Sequence, residues 1–258
     1  MKVFHRLDDW FQERELISSS LGLVPTMGAL HRAHERLVEM SLKENEKTVV
    51  WIFVNPTQFD DPLDFKRYPR RLEEDLDLLK KLNVDYVLAP EEQEIYPQGY
   101  RFQISENDLS KRLVGALRPG FFEGVLTVVM KLFNLVRPSR AYFGEKDFQQ
   151  LLLVEEMVKE FFLKIEIRRL PTVREGDLLP FSSRNKLLST QGRELASHFP
   201  RLLRSEASDE EIKQSLESLG IAVNYIQTWS GKRFGSITID HVQLFDHFDP
   251  AAESGAKN

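Results

Sequence analysis

No cysteine occurs among the 258 residues of the chain. That absence excludes disulfides and thiolate metal sites, and it fits a reducing compartment. Long apolar runs are missing as well: no stretch approaches the ~20 residues that a helix needs to span a bilayer. The N-terminus, MKVFHRLDDWFQERE, is charged from the start and has no apolar segment of signal-peptide length. Nor is there a basic excess. Against 35 Lys and Arg stand 40 Asp and Glu, a formal charge of −5, which argues against broad nucleic-acid binding. Internal repeats and low-complexity tracts are absent too. What remains, 41% hydrophobic and 29% charged residues, describes a globular chain with a sizeable core. The expectation is a cytoplasmic protein with neither membrane nor nucleic acid as partner.

Hydrophobic periodicity divides the chain into alternating strands and helices. Residues 8–17 read as a short amphipathic helix, 21–26 as a strand, and the segment from Leu30 to about Asn45 as a helix. TVVWIFV, residues 48–54, has the uninterrupted apolar run of a strand buried on both faces. A charged loop over 60–68 precedes a helix over 70–82 and a strand over 85–89. Further on come a helix over 121–136, a strand over 139–143, a helix from Gly144 to about Phe162, and a strand over 163–171. Such alternation implies a parallel sheet with right-handed crossovers. After an irregular stretch at 172–183, residues 184–204 and 210–219 look helical, and 221–228 and 236–240 look like strands. The expected fold is α/β: a Rossmann-like parallel sheet with helices on both faces in residues 1–171, and a smaller α+β domain in residues 172–258. The tail, 251–258, is expected to be disordered.

Four stretches carry candidate chemistry. In LGLVPTMGALHRAH, residues 21–34, a strand ends at Pro25 and a turn of Thr26, Met27, Gly28 and Ala29 leads through Leu30 into a helix. Its N-terminus would attract an anion, and His31 and His34, three apart, share a face there. A zinc site on these two histidines lacks the further protein ligands it would need. In FVNPTQF, residues 53–59, Asn55 and Gln58 each offer a donor and an acceptor at a strand's carboxyl end, suited to hydroxyls or a carboxylate. GEKDFQQL, residues 144–151, again follows a strand and opens a helix. Lys146 there suits a phosphate oxygen, Asp147 a ribose hydroxyl, and Gln150 an acid substrate. In VREGDLLPFSSRN, residues 173–185, Ser182, Ser183 and Arg184 make a set fit for a polyphosphate. The acidic run Glu73, Glu74 and Asp75 reads mainly as a solvated helix face, with outer-sphere magnesium partners as the alternative.

The first stretch resembles the His-x-Gly-His motif of class I nucleotidylyl transferases and aminoacyl-tRNA synthetases. PTMGALHRAH, FVNPTQF, GEKDFQQL and SSRN, in this order, resemble one family in particular, the pantothenate synthetases. The resemblance covers roughly residues 20–190 and includes RPGFFEGVLTVVMKLFNLVRP, residues 118–138. Departures are Ala33 in place of glycine, Phe121 in place of histidine, and Glu123 where arginine is frequent. What the resemblance implies is an ATP-dependent ligase that condenses (R)-pantoate with β-alanine through a pantoyl adenylate, releasing AMP and pyrophosphate. The product would be pantothenate, the coenzyme A precursor. ATP would be held by Met27, Gly28, Ala29, Leu30, His31, Arg32, Ala33 and His34, by Gly144, Glu145, Lys146 and Asp147, and by Val173, Phe181, Ser182, Ser183 and Arg184. Pantoate would meet Asn55, Gln58 and Gln150, and β-alanine Gln58; His31, His34 and Lys146 would be catalytic. Mg²⁺ would accompany the triphosphate, with no side-chain metal ligands expected, and the assembly would be a homodimer. The alternatives are another nucleotidylyl transferase with this histidine motif and a non-catalytic nucleotide-binding homologue.

Overall fold

Short runs of β-branched and aromatic residues make the centre of a six-stranded parallel sheet in the computed structural model, which describes residues 1–251. The tail expected to be disordered lies, from residue 252 on, outside the described residues. The strands are β1 (Lys2–Phe4), β2 (Leu21–Thr26), β3 (Lys47–Ile52), β4 (Tyr86–Leu88), β5 (Arg140–Gly144) and β6 (Glu166–Leu170), in the order β1-β4-β3-β2-β5-β6. From β2 the chain winds outward one way through β3 and β4 and later the other way through β5 and β6. The switch point therefore falls between β2 and β5, and ligands in open α/β sheets bind at that place on the carboxyl edge. β5 pairs with β2 only at Gly22 and Leu23. Pro25, with no N–H to donate, falls in the part of β2 beyond that pairing. On the other side β2 and β3 stay in register to their ends, Thr26 opposite Ile52.

Two compact units divide the chain: residues 1–145 with 149–171, and Lys146–Phe148 with everything from Thr172 onward. The second unit holds a three-stranded antiparallel sheet, β7 (Ala222–Trp229), β8 (Lys232–Ile239) and β9 (Val242–Phe248). Phe199, Leu203, Ile212, Leu216, Ile237 and Leu244 are core residues of this unit. Lys146–Phe148 fell within the expected first domain, yet it groups with the second unit, where the Phe148 ring meets Phe234 at 6.0 Å and His247 at 5.2 Å between centroids. The long helix expected over 184–204 is broken into Ser183–Leu187, Thr190–Ala196 and His198–Leu203. Ser189 causes one break, since its Oγ caps the second piece by accepting from Gly192 N.

His247 gives this unit an acid sensitivity. It is 8% exposed, and its Nδ1 has no hydrogen-bond partner among the described residues. Burial pushes the imidazole down to about 4; Asp246 and Asp147 pull it up, while Arg174 and Lys232 push it further down. A depressed histidine is neutral in the fold but charges readily once unfolded. Its contribution is therefore complete above about pH 6.5 and is lost as pH falls toward 4, amounting to about 3 kcal/mol. Urea unfolding at pH 7 and pH 4.5 should show His247→Phe losing markedly less stability than the parent. Equal losses would mean that the imidazole is not the sensitive group.

Candidate active site

The turn after β2 is built to hold two consecutive left-handed residues, Gly28 at φ 79° and Ala29 at φ 50°. Thr26 Oγ1 starts it, donating to Trp51 O at 2.8 Å and accepting from Gly28 N at 3.1 Å. Glycine takes such a φ freely, whereas alanine must be held there. The holder is Asp75 on the helix Leu72–Lys81, whose carboxylate accepts from Ala29 N at 2.8 Å and Leu30 N at 2.7 Å. Asp75 is only 3% exposed, and burial raises its carboxyl above the usual range although both amides pull it down. This residue is therefore not part of a solvated face; Glu73 and Glu74 beside it are exposed. Its spacing carried the signal, for Asp75 lies three after Leu72 and four before Leu79, on the buried side. Asp75→Ala would strand two amides, and chemical denaturation should show a loss of about 3 kcal/mol. An unchanged midpoint would show that the turn does not depend on it.

Beyond the turn, His31 stands just before the helix Arg32–Glu44 and His34 is its third residue. Their rings stack, centroids 4.1 Å apart and 28° between planes. His31 N donates to His34 Nδ1 at 3.3 Å. A neutral His34 ring must then carry its proton on Nε2, as a donor. Ala33 is half-buried in the first helical turn. Arg32 pairs with Glu35 at 3.0 Å on the exposed helix surface.

The second turn is a single 3₁₀ turn, Pro56–Gln58, following Asn55. Asn55, expected to meet pantoate, is 1% exposed and hydrogen-bonded to Gln58. Its Nδ2 donates to Gln58 Oε1 at 3.1 Å and to Gly124 O at 3.2 Å. Its Oδ1 accepts from Tyr96 Oη at 2.9 Å and Thr57 Oγ1 at 3.0 Å. Gln58 Nε2 reaches Met27 Sδ at 3.3 Å, so the amide turn and the histidine turn meet. The helix Phe121–Val136 packs closely on the same turn: a Cβ on Gly124 would lie 2.3 Å from Thr57 O. Phe121, one of the departures, lies under the Arg118 guanidinium at 4.3 Å, and Arg118 itself binds Asp60 at 2.7 Å and Gln58 O at 3.2 Å. Glu123 lines an open cleft beside the turn with Gln58, Tyr100 and Phe121.

The third stretch is shared between the units. Gly144 closes β5 and, with Glu145 and Gln150, belongs to the first; Lys146 and Asp147 belong to the second. Lys146 Nζ is 2.9 Å from Asp147 Oδ1, a partly exposed pair. The neighbouring glutamines differ in role. Gln149 is buried and binds Val114 N, Leu109 O and Arg112 O, whereas Gln150 is half-exposed. In the second unit Phe181 N donates to Val173 O at 3.0 Å, closing the loop that leads to Ser182, Ser183 and Arg184. Ser182 Oγ accepts from Arg184 N, and buried Asn185 ties the loop to Glu175 and Pro180 O. Arg174 forms a bidentate pair with Asp246, both bonds 2.8 Å. The sequence reading assigns no role to Tyr96, Gly124 or Arg174, and it places Asp75 on a solvated face.

Against this geometry the family model for pantoate-beta-alanine ligase matches residues 1–253. The chain belongs to the pantoate-beta-alanine ligase family. A pantothenate synthetase from Legionella pneumophila (strain Corby) is 49% identical over 250 residues, covering 96% of this chain and 99% of that protein. The crystal structure of the pantoate-beta-alanine ligase from Francisella tularensis, complexed with beta-gamma ATP and beta-alanine, superposes with a TM-score of 0.93 at 38% identity. It covers 96% of this chain and 97% of that one. Pantothenate synthetase from Thermus thermophilus gives 0.88 at 36% identity, over 96% and 99% of the two chains. Membership of the pantoate-beta-alanine ligases thus rests on nearly the whole length, beyond the stretch where the motifs lie.

Proposed function

We propose that this chain joins (R)-pantoate to β-alanine in two steps, with the two touching turns of the first unit taking the acid substrate and the reacting phosphate. The observation that carries the reading is the Gln58–Met27 contact, which sets an amide donor beside the turn that bears the stacked histidines. First the pantoate carboxylate attacks the α-phosphorus of ATP, forming the acyl–phosphate bond and releasing pyrophosphate. A free carboxylate has no usable leaving group, whereas AMP leaves readily. Charge grows on phosphate oxygens in that step, so preorganised donors supply most of the catalysis. His34, donating through Nε2, and His31 serve from the turn, with the backbone from Met27 to Leu30, Arg32 and Ala33 lining the nucleotide. Lys146 exchanges its Asp147 partner for a phosphate oxygen. Gly144, Glu145, Asp147, Val173, Phe181, Ser182, Ser183 and Arg184 complete the ATP set.

Pantoate is held by Gln58, Gln150 and Asn55, and Asn55 also hydrogen-bonds Gln58. In the second step the β-alanine amine, guided by Gln58, attacks the acyl carbon and AMP departs. Water must be kept from the mixed anhydride, which would otherwise hydrolyse. Mg²⁺ would come with the triphosphate and neutralise its charge. No described helix is long and apolar enough to cross a membrane. A cytoplasmic homodimer is part of the same reading, and analytical ultracentrifugation tests the dimer.

The decisive measurement separates the half-reactions. With ATP and pantoate alone the enzyme should release one pyrophosphate per active site and hold the adenylate; adding β-alanine should then release AMP. Pyrophosphate release that ignores pantoate would favour a different nucleotidylyl transferase. No turnover with any acid would favour the non-catalytic homologue.

A further inference from the structure

We propose that the Gly124 carbonyl and Tyr96, acting through Asn55, set which end of the Gln58 amide faces the acid substrate, so that the substrate carboxylate meets an N–H donor. The inference rests on the reading that Gln58 binds pantoate. The two ends of a side-chain amide are alike in shape and opposite in chemistry, so only the surrounding hydrogen bonds set their direction. The sequence of bonds behind Gln58 leaves one solution. Gly124 O, a carbonyl, can only accept, and it lies 3.2 Å from Asn55 Nδ2. That fixes the amino end of Asn55. The other end, Oδ1, accepts from Tyr96 Oη at 2.9 Å and from Thr57 Oγ1 at 3.0 Å.

Tyr96 is a dependable donor. It is 7% exposed, and burial pushes its phenol up to about 12, so it keeps its proton at any working pH. Its ring is pinned as well, with Lys131 Nζ 5.0 Å from the ring centroid while that ammonium donates to Ile95 O at 2.9 Å. The second hydrogen on Asn55 Nδ2 goes to Gln58 Oε1 at 3.1 Å. The acceptor end of Gln58 is therefore consumed from behind. What remains forward is Nε2, whose contact here is Met27 Sδ at 3.3 Å, a weak acceptor that a carboxylate oxygen readily replaces. Reversing the amide would set Oε1 against the carboxylate and leave the second hydrogen of Asn55 Nδ2 without an acceptor. Polarity is thus carried inward to outward, phenol to carboxamide to carboxamide to substrate.

Three variants test this. Gln58→Ala checks the reading itself. Its pantoate affinity should fall at least about tenfold, as for a lost bond to a charged group, and an unchanged affinity would remove the premise. Asn55→Asp turns the chain round, because an aspartate can only accept and Gln58 must offer it Nε2, presenting Oε1 to the substrate. Competition between pantoate and its neutral carboxamide then reads polarity directly. The parent should prefer pantoate, and in Asn55→Asp the ratio of affinities should shift toward the carboxamide by about tenfold or more. A merely structural role would weaken both ligands alike, which would overturn the proposal while leaving the Gln58 reading intact. Tyr96→Phe keeps the ring and removes only the donor, so it guards against misfolding of the aspartate variant. It should raise the KM for pantoate several-fold without moving the KM for ATP. Equal movement of both constants, or of neither, counts against Tyr96 as the positioning residue.

Discussion

Lys146→Ala should slow pyrophosphate release by about 10²–10³-fold, the loss of about 3–4 kcal/mol that follows removal of one donor to a developing charge. Its folding cost should be slight. Lys146 and its partner Asp147 form a partly exposed pair, with the side chains 25% and 54% accessible, and such surface pairs contribute about 0–1 kcal/mol. The two quantities together are diagnostic: rate collapses while the melting temperature stays. His34→Ala should lose a similar factor in rate but also some stability, because His31 N would lose the Nδ1 that accepts its hydrogen. Stopped-flow pyrophosphate release and calorimetric melting on the same preparations decide the matter. Near-parent rates in Lys146→Ala would remove the lysine from the phosphate site.

Gly124→Ala should be the most damaging change outside the expected contact residues. Helix propensity alone would favour alanine by ~1 kcal/mol in the interior of the helix Phe121–Val136. Geometry overrules it. The new methyl would stand 2.3 Å from Thr57 O, 2.6 Å from Thr57 C and 2.8 Å from Gln58 N, all backbone atoms that no rotamer change can move aside. The turn Pro56–Gln58 has to shift bodily, and the Asn55 Nδ2–Gly124 O bond goes with it. Overpacking of this kind costs about 1–3 kcal/mol, so the net effect on stability is a modest loss. Function should suffer more, since a displacement of about 1 Å at a binding group can cost about 10² in rate. The expected result is a large fall in kcat/KM for pantoate with ATP affinity close to the parent value, measured by steady-state kinetics and calorimetric titration. A full-rate alanine variant would show that this helix and the turn Pro56–Gln58 need not approach so closely.

Legibility in the sequence followed the range of the forces involved. The apolar run of 48–54, the helical stripe of 121–136 and the Gly-containing turns are local physics, and each appears in the structure close to where the pattern puts it. Misses have local reasons too. β1 is three residues long, too short to show a period, and the apolar pattern of β9 is interrupted by Asp246 and His247, both buried. The loop expected over 60–68 contains the helix Pro62–Arg67, which Asp61 caps by accepting from Leu63 N with Pro62 at the first position. That signal is present in Asp61 and Pro62 themselves, beneath a run of charges that reads as loop.

By itself the sequence determined the parallel α/β class, the turns that follow β2, β3 and β5, and the chemical identity of the groups on them. Those depend on neighbours within a few residues, where backbone preference and side-chain spacing act directly. Only the tertiary structure decided what holds those groups. Asp75 reaches Ala29 from 46 residues away, Tyr96 reaches Asn55 from 41, and Gly124 meets Asn55 from 69. Nothing in a stretch read alone distinguishes a buried carboxylate from a solvated one. That distinction is made when packing removes water and each polar atom must find a partner inside the protein.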